Sequence, residues 1–271
     1  MNAPVDRIAP TRRPAGKSIG FQNWSELLFL HREVPVEAVA ATLPAGLEPD
    51  LHEGKAYVGV VPFRMSDVRP WWAPQAFAFN FLETNVRTYV LCNGEPGVYF
   101  YSLEANSPVA VFVARNFWGL PYFHAQMNSV VEDGATRYVS VRKRRSKSDR
   151  RTNDLTDVRD GVPRLEALYC AGDAKLPPSP EGSLDRFLIE RYYLFVRRGR
   201  SILRGQVHHV PYPLREVTVE SVEDSLAEAA GFPATQPPFT LFHYSPGVEV
   251  ELFPLVRVAA SERLSSRTVS A

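Results

Sequence analysis

The chain is poor in cysteine, in lysine and in net charge, and it has no long apolar run. Cys92 and Cys170 stand far apart with no CxxC or Cys/His spacing. That argues against a structural zinc site and a disulfide scaffold and fits a reducing cytoplasm. A formal net charge of +1 sets up no global field towards nucleic acid or an anionic membrane surface, so neither is expected as a partner. No stretch reaches the roughly 20 apolar residues needed to span a bilayer, and the most apolar one is broken by Arg115 and Asn116. A soluble protein is expected. The start carries Arg7, Arg12, Arg13 and Lys17 among Pro and Ala without the apolar core of a secretory signal. It reads as a disordered tail over 1–20, ahead of a single domain over 21–257 and a second tail over 258–271.

The shortage of lysine excludes one chemistry in particular. A Schiff base needs an amine whose pKa is lowered by burial or by a cationic neighbour. Only Lys17, Lys55, Lys143, Lys147 and Lys175 are available, and Lys143 alone falls within a predicted strand. Its neighbours Arg142 and Arg144 should face away from it. There is no GxSxG elbow and no glycine-rich phosphate loop, so hydrolase and nucleotide-binding readings fall. His31, His52, His124 and His243 show no metal-binding spacing, and the adjacent His208 and His209 would point to opposite faces of a strand. No metal and no cofactor are expected.

What is present favours strands. With 271 residues and 45% hydrophobic content, the chain can bury one substantial core. Twenty-three prolines and sixteen glycines punctuate short β-branched and aromatic runs, a pattern of antiparallel strands rather than βαβ units. Strands are predicted over 27–31, 56–63, 77–91 and 97–103, with Asn93-Gly94 turning the last two into a hairpin. A hairpin over 122–131 and 138–145 follows, then strands over 192–197, 201–209 and 216–221. A last hairpin should turn at Ser245-Pro246-Gly247. Short helices are predicted over 36–43, over 108–118 behind the Ser107-Pro108 cap, and over 184–191 behind Ser183. Residues 172–182 read as a Pro-rich loop.

A period of two across 79–89 puts Glu83 and Arg87 on one strand face with Phe79, Phe81, Asn85 and Tyr89. Turned inward, Arg87 would anchor a carboxylate bidentately and Glu83 would act as acid or base; turned outward, they would form an ordinary ion pair. Tyr138, Ser140, Arg142 and Arg144 share another face. The charges from Arg142 to Arg151 form a dense positive cluster, but aromatic residues are not interleaved with them, so a solvated rim is expected rather than a platform for bases. Glu190-Arg191 and His208-His209 close neighbouring elements and could approach one mouth.

Several motifs in order, WSELLFLHREVPVEAVAATLPAGLEPD, GKAYVGVVPFRM, ETNVRTYV, PGVYFYSLEANS, ARNFWGLPYFHAQM, ERYYLF and HHVPYPL, resemble the uncharacterised YqjF-like family, domain of unknown function 2071, over about residues 20 to 255. That family looks like a branch of the acetoacetate-decarboxylase-like superfamily. The resemblance implies an α+β fold: a mostly antiparallel closed barrel with flanking strands and a few short helices. Arg115 to Pro121 resembles the Arg-Glu-x-x-Gly-x-Pro segment that leads into the superfamily's catalytic lysine pair, but Asn116 replaces the glutamate and Tyr122-Phe123 replaces the lysines. Glu83 resembles the superfamily's active-site glutamate.

The expected ligand is a small acidic or carbonyl-containing molecule. Glu83 and Tyr122 are the candidate catalytic residues, and Arg87, Arg115, Arg144, Arg191 and His209 the candidate binding residues. The activity would be noncovalent, of lyase, hydratase or isomerase type, and the alternative is a noncatalytic binding or sensing protein. An apolar exposed strand could support a homo-oligomer.

Overall fold

The structure, a computed structural model, describes residues 5–143 and 161–258. Its strands are β1 (Gly20–Val34), β2 (Glu48–Pro49), β3 (Ala56–Pro70), β4 (Phe79–Cys92), β5 (Glu95–Ala105), β6 (Tyr122–Glu132), β7 (Ala135–Arg142), β8 (Arg164–Lys175), β9 (Tyr193–Arg198), β10 (Ser201–His208), β11 (Arg215–Asp224), β12 (Leu241–Leu252) and β13 (Val256–Arg257). Four short helices join them: α1 (Val36–Thr42), α2 (Pro108–Val113), α3 (Leu184–Ile189) and α4 (Leu226–Ala229). No helix among the described residues is long and apolar enough to cross a membrane.

All thirteen strands among the described residues belong to one sheet, and its pairings close on themselves twice. One ring runs β12-β1-β3-β4-β5-β9-β10 and back to β12; a larger one runs from β5 through β6, β7, β8 and β11 to the same β12-β1-β3-β4 strands. Most pairs are antiparallel, while β5 runs parallel to β6 and β9. The two rings therefore share one wall, and alternate side chains of that wall face different interiors. Leu27, Phe29, Val61, Phe63 and Phe81 pack in one cluster with Phe187, Leu188 and Ile189 of α3. Leu28, Leu30, Val58, Val60, Leu82 and Val86 pack in another with Tyr138, Leu165 and Tyr169.

Local chemistry explains most of the elements. Asn93 and Gly94 take the positive φ angles of 52° and 80° that a tight hairpin needs. The Ser107 hydroxyl accepts from the Ala110 amide and Ser183 from Arg186, so both predicted caps form. The first of these helices is shorter than expected. Its α-helical part ends at Val113, and a wider π-turn carries the chain over Ala114–Trp118 to Gly119.

The predicted last hairpin is instead a single strand, β12. Between Ser245 and Gly247 it pairs only with β1, so the missing N–H of Pro246 interrupts no second ladder. Gly247 admits the β1 backbone so closely that a Cβ there would stand 2.3 Å from the Trp24 carbonyl oxygen. β8 and α4 were not anticipated, and the expected loop over 172–182 begins as the last residues of β8.

The expected N-terminal tail is also different. Val5 to Ile19 packs against the domain as a strap, with a short turn at Ala9–Thr11. Arg7 makes a two-pronged pair with Asp50 at 2.6 and 2.7 Å, the Gln206 amide donates to the carbonyls of Pro10 and Arg12, and Arg13 pairs with Glu251. These side-chain partners lie far along the chain and leave no periodic signal near the strap itself.

Candidate functional site

Within the smaller ring, β4 carries its polar residues inward as the period of two requires. Glu83, Asn85, Arg87 and Tyr89 are all buried, on the face shared with Phe81. Glu83 sits 3% exposed, facing Tyr122, whose hydroxyl donates to its Oε2 at 2.5 Å. Burial pushes the Glu83 carboxyl up to about 8, with the nearby Glu104 adding to the rise, against the hydrogen bonds of Tyr122 and Asn85 that lower it. Burial also lifts the Tyr122 phenol well above its usual value, so it stays protonated and remains a donor. Arg115, on the turn before β6, donates its Nε to the Tyr122 carbonyl, and so holds the segment that presents the phenol.

A consequence is measurable. Because the Tyr122 hydrogen bond lowers the Glu83 pKa, Tyr122→Phe is expected to raise it beyond about 8. The infrared C=O stretch of the protonated carboxyl will then persist to higher pH than in the parent; an unchanged titration would remove Tyr122 as a partner of Glu83.

Farther along β4, Arg87 donates its Nη2 to the Leu188 carbonyl at 3.2 Å. Tyr89 donates to the same oxygen at 2.6 Å and lies 2.7 Å from His31 Nε2. Since the single phenol proton goes to Leu188, His31 must supply the proton of its own bond, and its buried Nδ1 is left as a bare acceptor. Burial and the neighbouring Arg87 hold the His31 pKa well below its ordinary value, so the imidazole is neutral. Gly59 stands opposite both His31 and Arg87 in the ladder; a Cβ there would meet His31 Cδ2 at 2.7 Å. Asn85 Oδ1 and Arg87 Nε are likewise buried without a partner. Neither His31 nor Asn85 was singled out from sequence, although Asn85 lies midway between the two residues that were.

His209 and Arg191 are placed around this interior rather than beside Glu83. His209 is stacked on Tyr192 at 4.5 Å and tilted on Tyr212 at 4.6 Å. Burial lowers it to about 4, and its Nδ1 donates to the Val210 carbonyl. Arg191 donates to Asp50 at 2.8 Å and to the Phe187 carbonyl at 2.7 Å, with its guanidinium 4.2 Å from the Phe187 ring centre. It is thus a packed ion pair beneath α3. Arg144 lies outside the described residues. Lys143, just past β7, is exposed.

The other side of the shared wall holds a second buried polar set. Arg142 of β7 pairs with Glu104 and lies 4.0 Å over the Phe123 ring, while Ser102 donates to the same carboxylate. The sequence placed Arg142 on a rim; its carboxylate partner, 38 residues away, pulls it inside.

Two clefts open elsewhere. One of about 280 Å³ is lined by Arg32, Arg164, Asp224 and Gln236. The other, of about 310 Å³, lies between the N-terminal strap and α3 and is lined by Arg7, Arg186, Phe187 and Arg191. This second cleft abuts the Arg87 end of the interior, because the Phe187 ring packs on Tyr89 at 5.2 Å. No group of three or more His, Cys, Asp or Glu suited to a metal ion occurs among the described residues.

Comparison with known proteins shows relatives in sequence and in fold. A family model for domain of unknown function 2071, described as an uncharacterized conserved protein, covers residues 21–249. The uncharacterized protein YqjF of Bacillus subtilis (strain 168) is 34% identical over 245 residues, spanning 89% of this chain and 93% of that protein. Among solved structures, the enduracididine biosynthesis enzyme MppR complexed with pyruvate superposes with a TM-score of 0.56 at 13% identity, covering 92% of this chain and 94% of that one. Acetoacetate decarboxylase from Legionella pneumophila gives 0.57 at 13% identity, over 93% and 95%. At that identity the likeness is one of fold.

Proposed function

Because the chain belongs to the family of domain of unknown function 2071, we propose that its smaller ring is a ligand-binding barrel for a small acidic or carbonyl-containing molecule. The protein acts on that molecule noncovalently. The observation that carries this reading is Glu83, a carboxyl kept protonated near neutral pH by burial and bonded to the Tyr122 phenol. A neutral carboxylic acid in a dry interior is a hydrogen-bond donor. It can polarise a carbonyl or deliver a proton to a developing enolate or alkoxide, and the phenol, whose one proton goes to Glu83 Oε2 in the unliganded site, would turn it to the same oxygen to act as a second donor. Arg87 would take the ligand's anionic group. Position 122 carries no amine and the four described lysines, Lys17, Lys55, Lys143 and Lys175, are exposed, which supports chemistry without an imine.

Entry runs most directly through the cleft beside α3, past Phe187. The fold shared with MppR, described in complex with pyruvate, makes pyruvate a natural first probe. With Glu83 and Tyr122 polarising the carbonyl and solvent water taking the proton from carbon, we expect the protein to accelerate exchange of the methyl protons of pyruvate or a longer oxo acid in heavy water, followed by NMR. Glu83→Gln should slow it about 100-fold, and Lys143→Ala should leave it unchanged. Saturable binding without exchange would identify a noncatalytic binding protein. If Glu83→Gln and Tyr122→Phe change neither binding nor exchange, the site is wrong.

A further inference from the structure

The four buried arginines among the described residues differ in how their charge is met. Arg142 has Glu104 and Arg191 has Asp50 as a directly bonded carboxylate. Arg32 donates to the carbonyls of Phe232 and Pro233 and feels the charges of Asp224 and Glu228. Arg87 has no carboxylate within 4.0 Å among the described residues, and its Nε is buried with no acceptor at all. Its bonded neighbour is the neutral carbonyl of Leu188; around it stand neutral His31 and the rings of Phe29 and Tyr89. A buried cation left so is costly unless something else brings the counter-charge.

The place of this cation along the strand sets the size of what brings it. Arg87 and Glu83 are four positions apart on one face of β4, so their Cα atoms stand about 13 Å apart. The Arg87 guanidinium leans towards Leu188 and Tyr89, away from Glu83. The polar groups that act on Glu83 are Tyr122, Glu104 and Asn85, and Arg87 is not among them. Between the two ends, Asn85 Oδ1 offers a buried acceptor without a donor. A molecule as short as pyruvate can occupy one end or the other, not both.

We propose that the interior recognises an elongated oxo or hydroxy acid at two points, its anionic group on Arg87 and its carbonyl or hydroxyl at Glu83 and Tyr122. The two groups would stand on the order of 10 Å apart, and a hydroxyl or amine in the middle of the chain would meet Asn85 Oδ1. This rests on the reading of the Glu83 site given above and adds the ligand's length and its second anchor.

The test is calorimetric titration of the full chain with pyruvate, levulinate, and a keto acid whose ketone stands eight bonds from its carboxyl. The matching fatty acid without the ketone and the matching ketone without the acid are titrated beside them. We expect the long keto acid to bind at least tenfold tighter than pyruvate. Arg87→Met should bring it down to the level of the plain ketone, and Glu83→Gln to the level of the plain fatty acid. Arg87→Lys, which keeps the charge but loses the fork, should give an intermediate loss, and thermal melting of each variant reports that it is folded. Equal affinity for all three keto acids, or a length preference that survives Arg87→Met, overturns the two-point proposal. In that case Glu83→Gln still weakening pyruvate binding would leave the parent reading standing. If no acid binds the parent chain and Glu83→Gln is silent throughout, both readings fall.

Discussion

Raising the pH from about 5 to about 9 will cost this protein about 4 kcal/mol of stability through Glu83 alone, and Glu83→Gln will remove that loss. The folded-state pKa is about 8 against an ordinary 4.5. Between those values the folded chain holds a proton that the unfolded chain has released, so stability falls as pH rises through the window. Below the lower value both states are protonated, and above the upper value both are ionised, so the curve flattens at each end. The parent and Glu83→Gln should therefore unfold at similar urea concentrations near the acid end and diverge steadily towards the alkaline end, with the variant the more stable. Parallel curves across this range would mean that Glu83 is not the buried acid described here.

Asp50→Ala should be the most damaging single substitution outside the hydrophobic clusters. Asp50 is buried and holds two guanidiniums, Arg191 from below α3 and Arg7 from the strap. Arg191 is so enclosed that burial lowers its pKa to about 10 even with this partner. Removing the carboxylate leaves that charge alone in the interior, for an expected loss of 3–5 kcal/mol, or about that much. It should appear as a lower urea midpoint with an unchanged slope. The double variant Asp50→Ala, Arg191→Met should recover most of the loss, because the cost lies in the stranded charge. No recovery would place the cost in the strap or in α3 instead.

Most of the strand positions, though not β8 or the single strand β12, and the two faces of β4 were readable from the sequence because period two and turn chemistry are local. Glu83 and Arg87 fell on one face, and Asn93-Gly94 made the turn, for reasons contained within a dozen residues. Ser107 and Ser183 capped their helices for the same kind of reason. The charge partners were hidden because they join distant segments: Asp50 with Arg7 and Arg191, Glu104 with Arg142, Arg87 with the Leu188 carbonyl. Ser245-Pro246-Gly247 misled for a related reason. A Pro-Gly pair marks a turn when read alone, but an edge with no second neighbour tolerates it within a strand. The family resemblance supplied what spacing could not, since Tyr122 has no local signature and stands out only against a pattern with lysine in its place.

The wall shared by the two rings also constrains how this chain can change length. From Phe81 to Val90 the residues of β4 belong to one interior or the other by their parity, so removing Leu82 would carry Glu83, Asn85 and Arg87 into the larger ring and Val86 into the smaller one. Insertions and deletions within β4 can then be accommodated only in pairs, whereas the exposed connection around Trp71, Trp72 and Phe77 can gain or lose any number of residues without exchanging the contents of the two chambers.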